Sequence, residues 1–163
     1  MSKITPTLWF DGAAEEAASF YVGLLPDSRI ESVNRSPADT PSGPAGSVLT
    51  VVFRLAGQRF CALNGGPGFP HSEAVSFMIE TADQAETDRL WAAVTGNGGR
   101  EGPCGWARDR WGISWQITPK RLLDLVTDAD AARAGAAMRT MMGMSRIDIA
   151  ALEAAADGAA AAA

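Results

Sequence analysis

The stretch CGWARDRWGISWQ, Cys104 to Gln116, decides how this chain is read, because it carries three of the five tryptophans. It leads into a run, Ile113 to Thr118, in which apolar and polar residues alternate. Strand side chains switch faces with period two, so Ile113, Trp115 and Ile117 share one side and Ser114, Gln116 and Thr118 the other. The apolar set predicts packing against helices. Trp106 and Trp111, flanking a charged turn, read as rim aromatics that can form a ligand wall or a subunit contact.

Working outward, the same pattern recurs upstream. Ala74 to Thr81 reads as a strand with Val75, Phe77 and Ile79 toward helices and Ser76, Met78 and Glu80 on the other side. A helix follows, with Thr87, Leu90, Trp91 and Val94 on one face. Arg100–Arg108 and Trp111–Thr118 then suggest short strands. The first half has the same order. Ile4–Phe10 is a strand, Asp11 the expected N-cap of a helix ended by Pro26, and Ser28–Asn34 a further strand. Ser47–Leu55 and Gln58–Asn64 form a hairpin across Ala56-Gly57. Ser36–Gly46 is a Pro/Gly loop, and Asn64–Glu73 links the halves. After Pro119, helices are expected at Lys120–Val126, Ala131–Met142 and Ile147–Ala156. Ala134, Met138, Met141 and Met142 form a stripe that reads as core or subunit contact. The alanine-rich end, residues 158–163, is expected to fray.

Composition narrows the functions. A length of 163 residues suits one domain or two small halves, and 47% hydrophobic with 20% charged residues is ordinary globular composition. The net charge of −5 argues against nucleic acid as a partner. No segment reads as a signal peptide or membrane span, so a cytoplasmic, membrane-free protein is expected, with Cys61 and Cys104 as free thiols. A single histidine, His71, excludes most histidine chemistry unless that residue carries it. The candidates for a catalytic group are Gln116, His71 as a loop base, and Cys104, whose thiolate Arg108 or Arg110 could stabilise. Each also has a structural reading: a strand polar residue, a solvated loop residue and an inert thiol.

The segments LWFDGAAEEAASFY (Leu8–Tyr21), ALNGGPGF (Ala62–Phe69), EAVSFMIET (Glu73–Thr81), DRLW (Asp88–Trp91), GPCGWARDRWGISWQITP (Gly102–Pro119) and SRIDIAAL (Ser145–Leu152) resemble the vicinal oxygen chelate superfamily. This is the glyoxalase, bleomycin-resistance and dioxygenase group. The resemblance is to its PhnB-like branch, labelled 3-demethylubiquinone-9 3-methyltransferase-like. It implies an α+β fold of two βαβββ modules forming a cupped mixed-sheet barrel. The implied organisation is one domain over residues 1–119, with modules at about 1–66 and 72–119, and a helical extension at 120–157. It also implies a homodimer.

In the superfamily's metal-dependent enzymes, ligands come from the first and last strands of each module. Those positions match Pro6, Ala62, Ser76 and Gln116, of which only Gln116 is a usable type. No metal and no other cofactor is therefore expected. The cup is expected to be lined by Asn64, Ser76, Met78, Ser114 and Gln116, with Phe10 and Leu8 nearby and Trp106 and Trp111 at the rim. The resulting reading is a protein binding a small oxygenated or aromatic molecule. The alternatives are a metal-assisted glyoxalase- or dioxygenase-type enzyme and an S-adenosylmethionine-dependent methyltransferase. The last lacks a G-x-G-x-G nucleotide turn.

Overall fold

A computed structural model describes residues 3–161 of the chain. It is α+β, with element order β1(Thr7–Phe10), α1(Ala14–Val22), β2(Arg29–Arg35), β3(Val48–Leu55), β4(Gln58–Asn64), β5(Ser76–Thr81), α2(Gln84–Gly96), β6(Arg100–Glu101), β7(Trp106–Arg108), β8(Ser114–Pro119), α3(Lys120–Val126), α4(Ala131–Met142) and α5(Ile149–Ala161). Two βαβββ modules are thus present. The chain divides into one compact unit over residues 1–71 and another over 72–163, so α3 to α5 belong with the second module.

In the first unit the sheet order is β1-β4-β3-β2, with β1 parallel to β4 and the other pairs antiparallel. Ala56 and Gly57 both have positive φ (47° and 76°), the conformation that a two-residue type I′ hairpin requires. α1 packs its buried Ala14, Ala17, Ala18 and Tyr21 on this sheet, with Tyr21 and Phe53 ring centroids 6.1 Å apart. The expected cap of α1 is corrected. The helix starts three residues after Asp11, its N-cap position is Ala13, and no side chain of its own caps it. Asn64 on β4 supplies the missing acceptor: its Oδ1 takes the Ala14 N–H at 2.9 Å, and its Nδ2 donates to the Val48 carbonyl.

The second unit's sheet has order β5-β8-β7-β6, again with one parallel pair, β5 with β8. Asp83 caps α2 by accepting the Glu86 N–H at 2.8 Å, and the buried face of that helix is Thr87, Leu90, Trp91 and Val94, as the periodicity predicts. The C-terminal helices build a core of their own from Leu122, Leu125, Ala137, Ile147, Leu152 and Ala156. Of the expected stripe of α4, Met141 is partly buried and packs against that core, while Met138 and Met142 are exposed; the fully buried residues of the helix are Ala136 and Ala137. α5 continues through Gly158 to Ala161, residues assigned above to a frayed tail, because alanine has the highest intrinsic helix propensity. Residues 162 and 163 lie outside the described residues.

Candidate functional site

The second unit holds the strongest candidate. One face of its sheet is covered by α2 and receives Ile79, Ala107, Trp115 and Ile117, all buried. Pairing register identifies the opposite face. Arg100 stands opposite Arg108, Arg108 opposite Ser114, and Ser114 opposite Ser76. One step along the face, Trp106 stands opposite Gln116 and Gln116 opposite Met78. Two rows therefore run across the strands, one cationic and hydroxylic, the other aromatic, amide and thioether.

A cavity of about 380 Å³ lies on this unit, bordered by Arg100, Arg108, Trp106, Ser114, Cys104 and Glu73 among others. Ser114 is 2% exposed, and its Oγ is the one buried side-chain polar atom among the described residues without a hydrogen-bond partner. Buried hydroxyls are nearly always paired, so an orphan in a cavity wall marks a position that a ligand or water can satisfy. Gln116 and Ser76 are already paired, Nε2 donating to Oγ at 2.8 Å, and neither borders the cavity. Met78, 49% exposed, lies on the same face outside the cavity. Trp111 lines an adjoining open hollow with Arg100, Arg108 and Arg110, and the Arg110 guanidinium sits 4.4 Å from its ring centroid.

The tryptophan-rich turn is held by a residue that sequence reasoning passed over. Asp109 is buried, with Oδ1 accepting the Trp111 and Ile113 N–H groups and Oδ2 accepting Trp115 Nε1 at 2.9 Å. The Asp109 N–H donates in turn to the Ile113 carbonyl. The segment DRWGISWQ, Asp109 to Gln116, therefore contains a structural clasp that locks Trp115 in the core. An aspartate three residues before a turn glycine is the available signal, since Asx side chains bond the backbone just ahead of them.

In the first unit the face assignment is corrected. Leu8, Phe10, Ala62 and Asn64 are all buried and share, by register, the α1 side of the sheet with Phe53. Phe10 and Asn64 thus do core and capping work. The opposite face carries Trp9, Cys61 and Leu63. Burial pushes the Cys61 thiol pKa up, partly opposed by Arg59. His71 is half-buried: its Nε2 is 2.6 Å from the Trp9 carbonyl oxygen, and its ring meets Phe10 edge-on at 6.0 Å. Trp9 is enclosed further by Phe69, and its Nε1 donates to the Gly66 carbonyl.

The superfamily metal positions do not fit a divalent ion. Pro6 has no donor side chain, Ala62 is buried under α1, and Ser76 and Gln116 bond each other. Among the described residues no three His, Cys, Asp or Glu side chains gather as a metal site. No helix there is long and apolar enough to cross a membrane.

The family model for 3-demethylubiquinone-9 3-methyltransferase matches residues 2–118. The chain belongs to that family. It thereby falls in the PhnB-like branch of the vicinal oxygen chelate superfamily. Among solved structures it is similar to a PhnB protein of Bacillus cereus, at 31% identity and TM-score 0.64, over 72% of this chain and 99% of that one. A Pseudomonas aeruginosa protein shares the fold at 22% identity and TM-score 0.60, over 73% and 98%. No curated protein matches the chain. The family match ends at residue 118, one residue before the end of β8, so α3 to α5 lie beyond it.

Proposed function

We propose that this PhnB-like protein binds a small oxygenated or aromatic molecule in the cavity on the second unit. The observation that carries the reading is Ser114 Oγ, buried and unpartnered in the wall of a cavity that Trp106 also borders. An aromatic wall beside a few aimed polar groups is how small-molecule sites are built. Cys104 borders the same space and is the reactive side chain nearest to hand should chemistry occur there.

The test is a ligand-observed NMR titration with benzyl alcohol, a flat oxygenated probe. Trp106→Ala abolishes its binding, while Trp111→Ala, in the adjoining hollow, leaves it unchanged. Binding insensitive to Trp106→Ala places the site elsewhere. The metal-assisted and methyltransferase readings have less support, since the superfamily ligand positions hold poor donors and no nucleotide-type glycine turn is present in the sequence. Divalent ion or S-adenosylmethionine binding measured by calorimetry would restore them. A cytoplasmic homodimer completes the proposal, and sedimentation equilibrium measures the second part of it.

A further inference from the structure

Cys104 stands in a conformation that its side chain disfavours. Its φ is 57°, in the left-handed region where a β-carbon crowds the backbone and glycine is usual. Its N–H is fixed by the Met144 carbonyl at 2.7 Å. Strain held in this way raises the question of what the side chain does, and the cavity supplies an answer. Cys104 and Ser114 both border it, and Ser114 brings a buried hydroxyl with no partner. β8 sets the span between the two. The Gly105 carbonyl accepts from the Ile117 N–H, three residues beyond Ser114, or about 10 Å along a strand. Trp106 borders the stretch between them, opposite Gln116.

The remaining groups narrow the chemistry. Arg100 and Arg108 on the border are matched by Glu73 and Glu101, so the wall favours a neutral molecule over an ion. The single histidine, His71, belongs to the first unit, so no imidazole is part of this one. Acyl transfer at a cysteine relies on such a base. Addition to a conjugated carbonyl does not, because sulfur is intrinsically nucleophilic.

Resting on the proposed cavity, we infer that Cys104 adds covalently to a neutral α,β-unsaturated ketone or aldehyde carrying a hydroxylated aromatic ring, with the ring against Trp106 and its oxygen at Ser114 Oγ. The thiol gives its proton to water, and the sulfur forms a bond to the β-carbon. The C=C π pair shifts to the α-carbon, where the carbonyl delocalises it and a proton from water completes the adduct. S–H has then added across C=C, with no oxidant or reductant. A single ring with a short unsaturated arm suits the span from thiol to hydroxyl.

The test is mass spectrometry with peptide mapping on the full chain, using 4-hydroxybenzylideneacetone and, as the probe lacking the hydroxyl, benzylideneacetone. Each rate is divided by that of the same probe with free N-acetylcysteine, which cancels intrinsic reactivity. The hydroxylated probe modifies Cys104 about ten-fold or more faster than the free thiol, the gain from being held beside it. Cys104→Ser abolishes the adduct, and Cys61→Ser leaves it unchanged. The normalised rate favours the hydroxylated probe by roughly three- to ten-fold, the worth of a neutral hydrogen bond. Ser114→Ala removes that preference while the protein stays folded, because the hydroxyl it deletes has no partner to lose. Modification no faster than free thiol, or confined to Cys61, overturns the covalent role; benzyl alcohol binding still lost in Trp106→Ala then keeps the cavity. Fast modification of Cys104 with no preference between the probes overturns the hydroxylated ligand. Insensitivity of benzyl alcohol to Trp106→Ala overturns the cavity itself.

Discussion

Asp109→Ala is the substitution that most directly tests how the tryptophan-rich turn is held. It removes one acceptor from three donors: the N–H groups of Trp111 and Ile113, and Trp115 Nε1. Ile113 and Trp115 are 3% and 1% exposed, so water cannot replace the carboxylate for those two. Each buried orphan costs about 1–3 kcal/mol, while the half-buried Trp111 costs little. Releasing the carboxylate from its own desolvation returns part of the sum, leaving roughly 3 kcal/mol. With a urea slope of about 2 kcal/mol/M, the midpoint falls by roughly 1.5 M, read by tryptophan fluorescence. Trp115→Phe isolates the side-chain bond, and a double-mutant cycle with Asp109→Asn yields a coupling of about 1 kcal/mol or more. A midpoint within about 0.3 M of the parent for Asp109→Ala, or zero coupling in the cycle, refutes the clasp.

Further expectations concern other parts of the fold. Asn64→Ala strips α1 of its cap and lowers stability by about 1–2 kcal/mol in urea unfolding, with ligand binding in the second unit unchanged. Gly65→Ala drives a Cβ into the Trp9 ring and costs about 1–3 kcal/mol or prevents folding, seen as a lowered Tm. Ile147→Ala opens a hole in the C-terminal core, costs about 2–5 kcal/mol, and raises the alkylation rate of Cys104. Hydrogen bonding from Arg54, with its charge, holds the Glu31 pKa below the usual carboxylate range. A depressed folded pKa contributes stability that is present above the unfolded value and lost as pH falls through the folded one. Glu31→Gln therefore lowers stability at neutral pH, leaves it unchanged at low pH where the carboxyl is protonated anyway, and so flattens the acid limb of a stability-versus-pH curve measured by urea unfolding.

How much could be read in advance depended on whether polarity alternated. In β5 and β8 it does, so Phe77, Ile79, Trp115 and Ile117 separate cleanly from Ser76, Met78, Ser114 and Gln116. In β1 the residues Leu8, Trp9 and Phe10 are apolar on both sides, so nothing local chooses the face, and the residues expected to line the cup in this half lie under α1 instead. Asn64 is polar for a reason fifty residues away in the chain: it serves a helix that brings no cap of its own. Periodicity located the face of α2 because four residues at helical spacing agree. In α4 it located Met141 against the core but not the fully buried Ala136 and Ala137, because small side chains carry little periodic signal. The cavity was legible only in pieces. Ser114, Trp106 and Cys104 stood out individually, but Arg100 and Arg108 become a pair only once strand register is known.

The loop Pro103–Gly105 borders the cavity, yet its backbone is tethered from outside the family's matched region. Cys104 and Gly105 donate their N–H groups to the carbonyls of Met144 and Ser145, both at 2.7 Å, in the segment joining α4 to α5. Gln84 clasps the same segment through Ile147 and Ile149. The sheet thus provides an inherited floor, and an appended helical annex sets the height of one wall. A substitution confined to that annex can therefore reposition Pro103 and Cys104 at the cavity edge without altering a single strand.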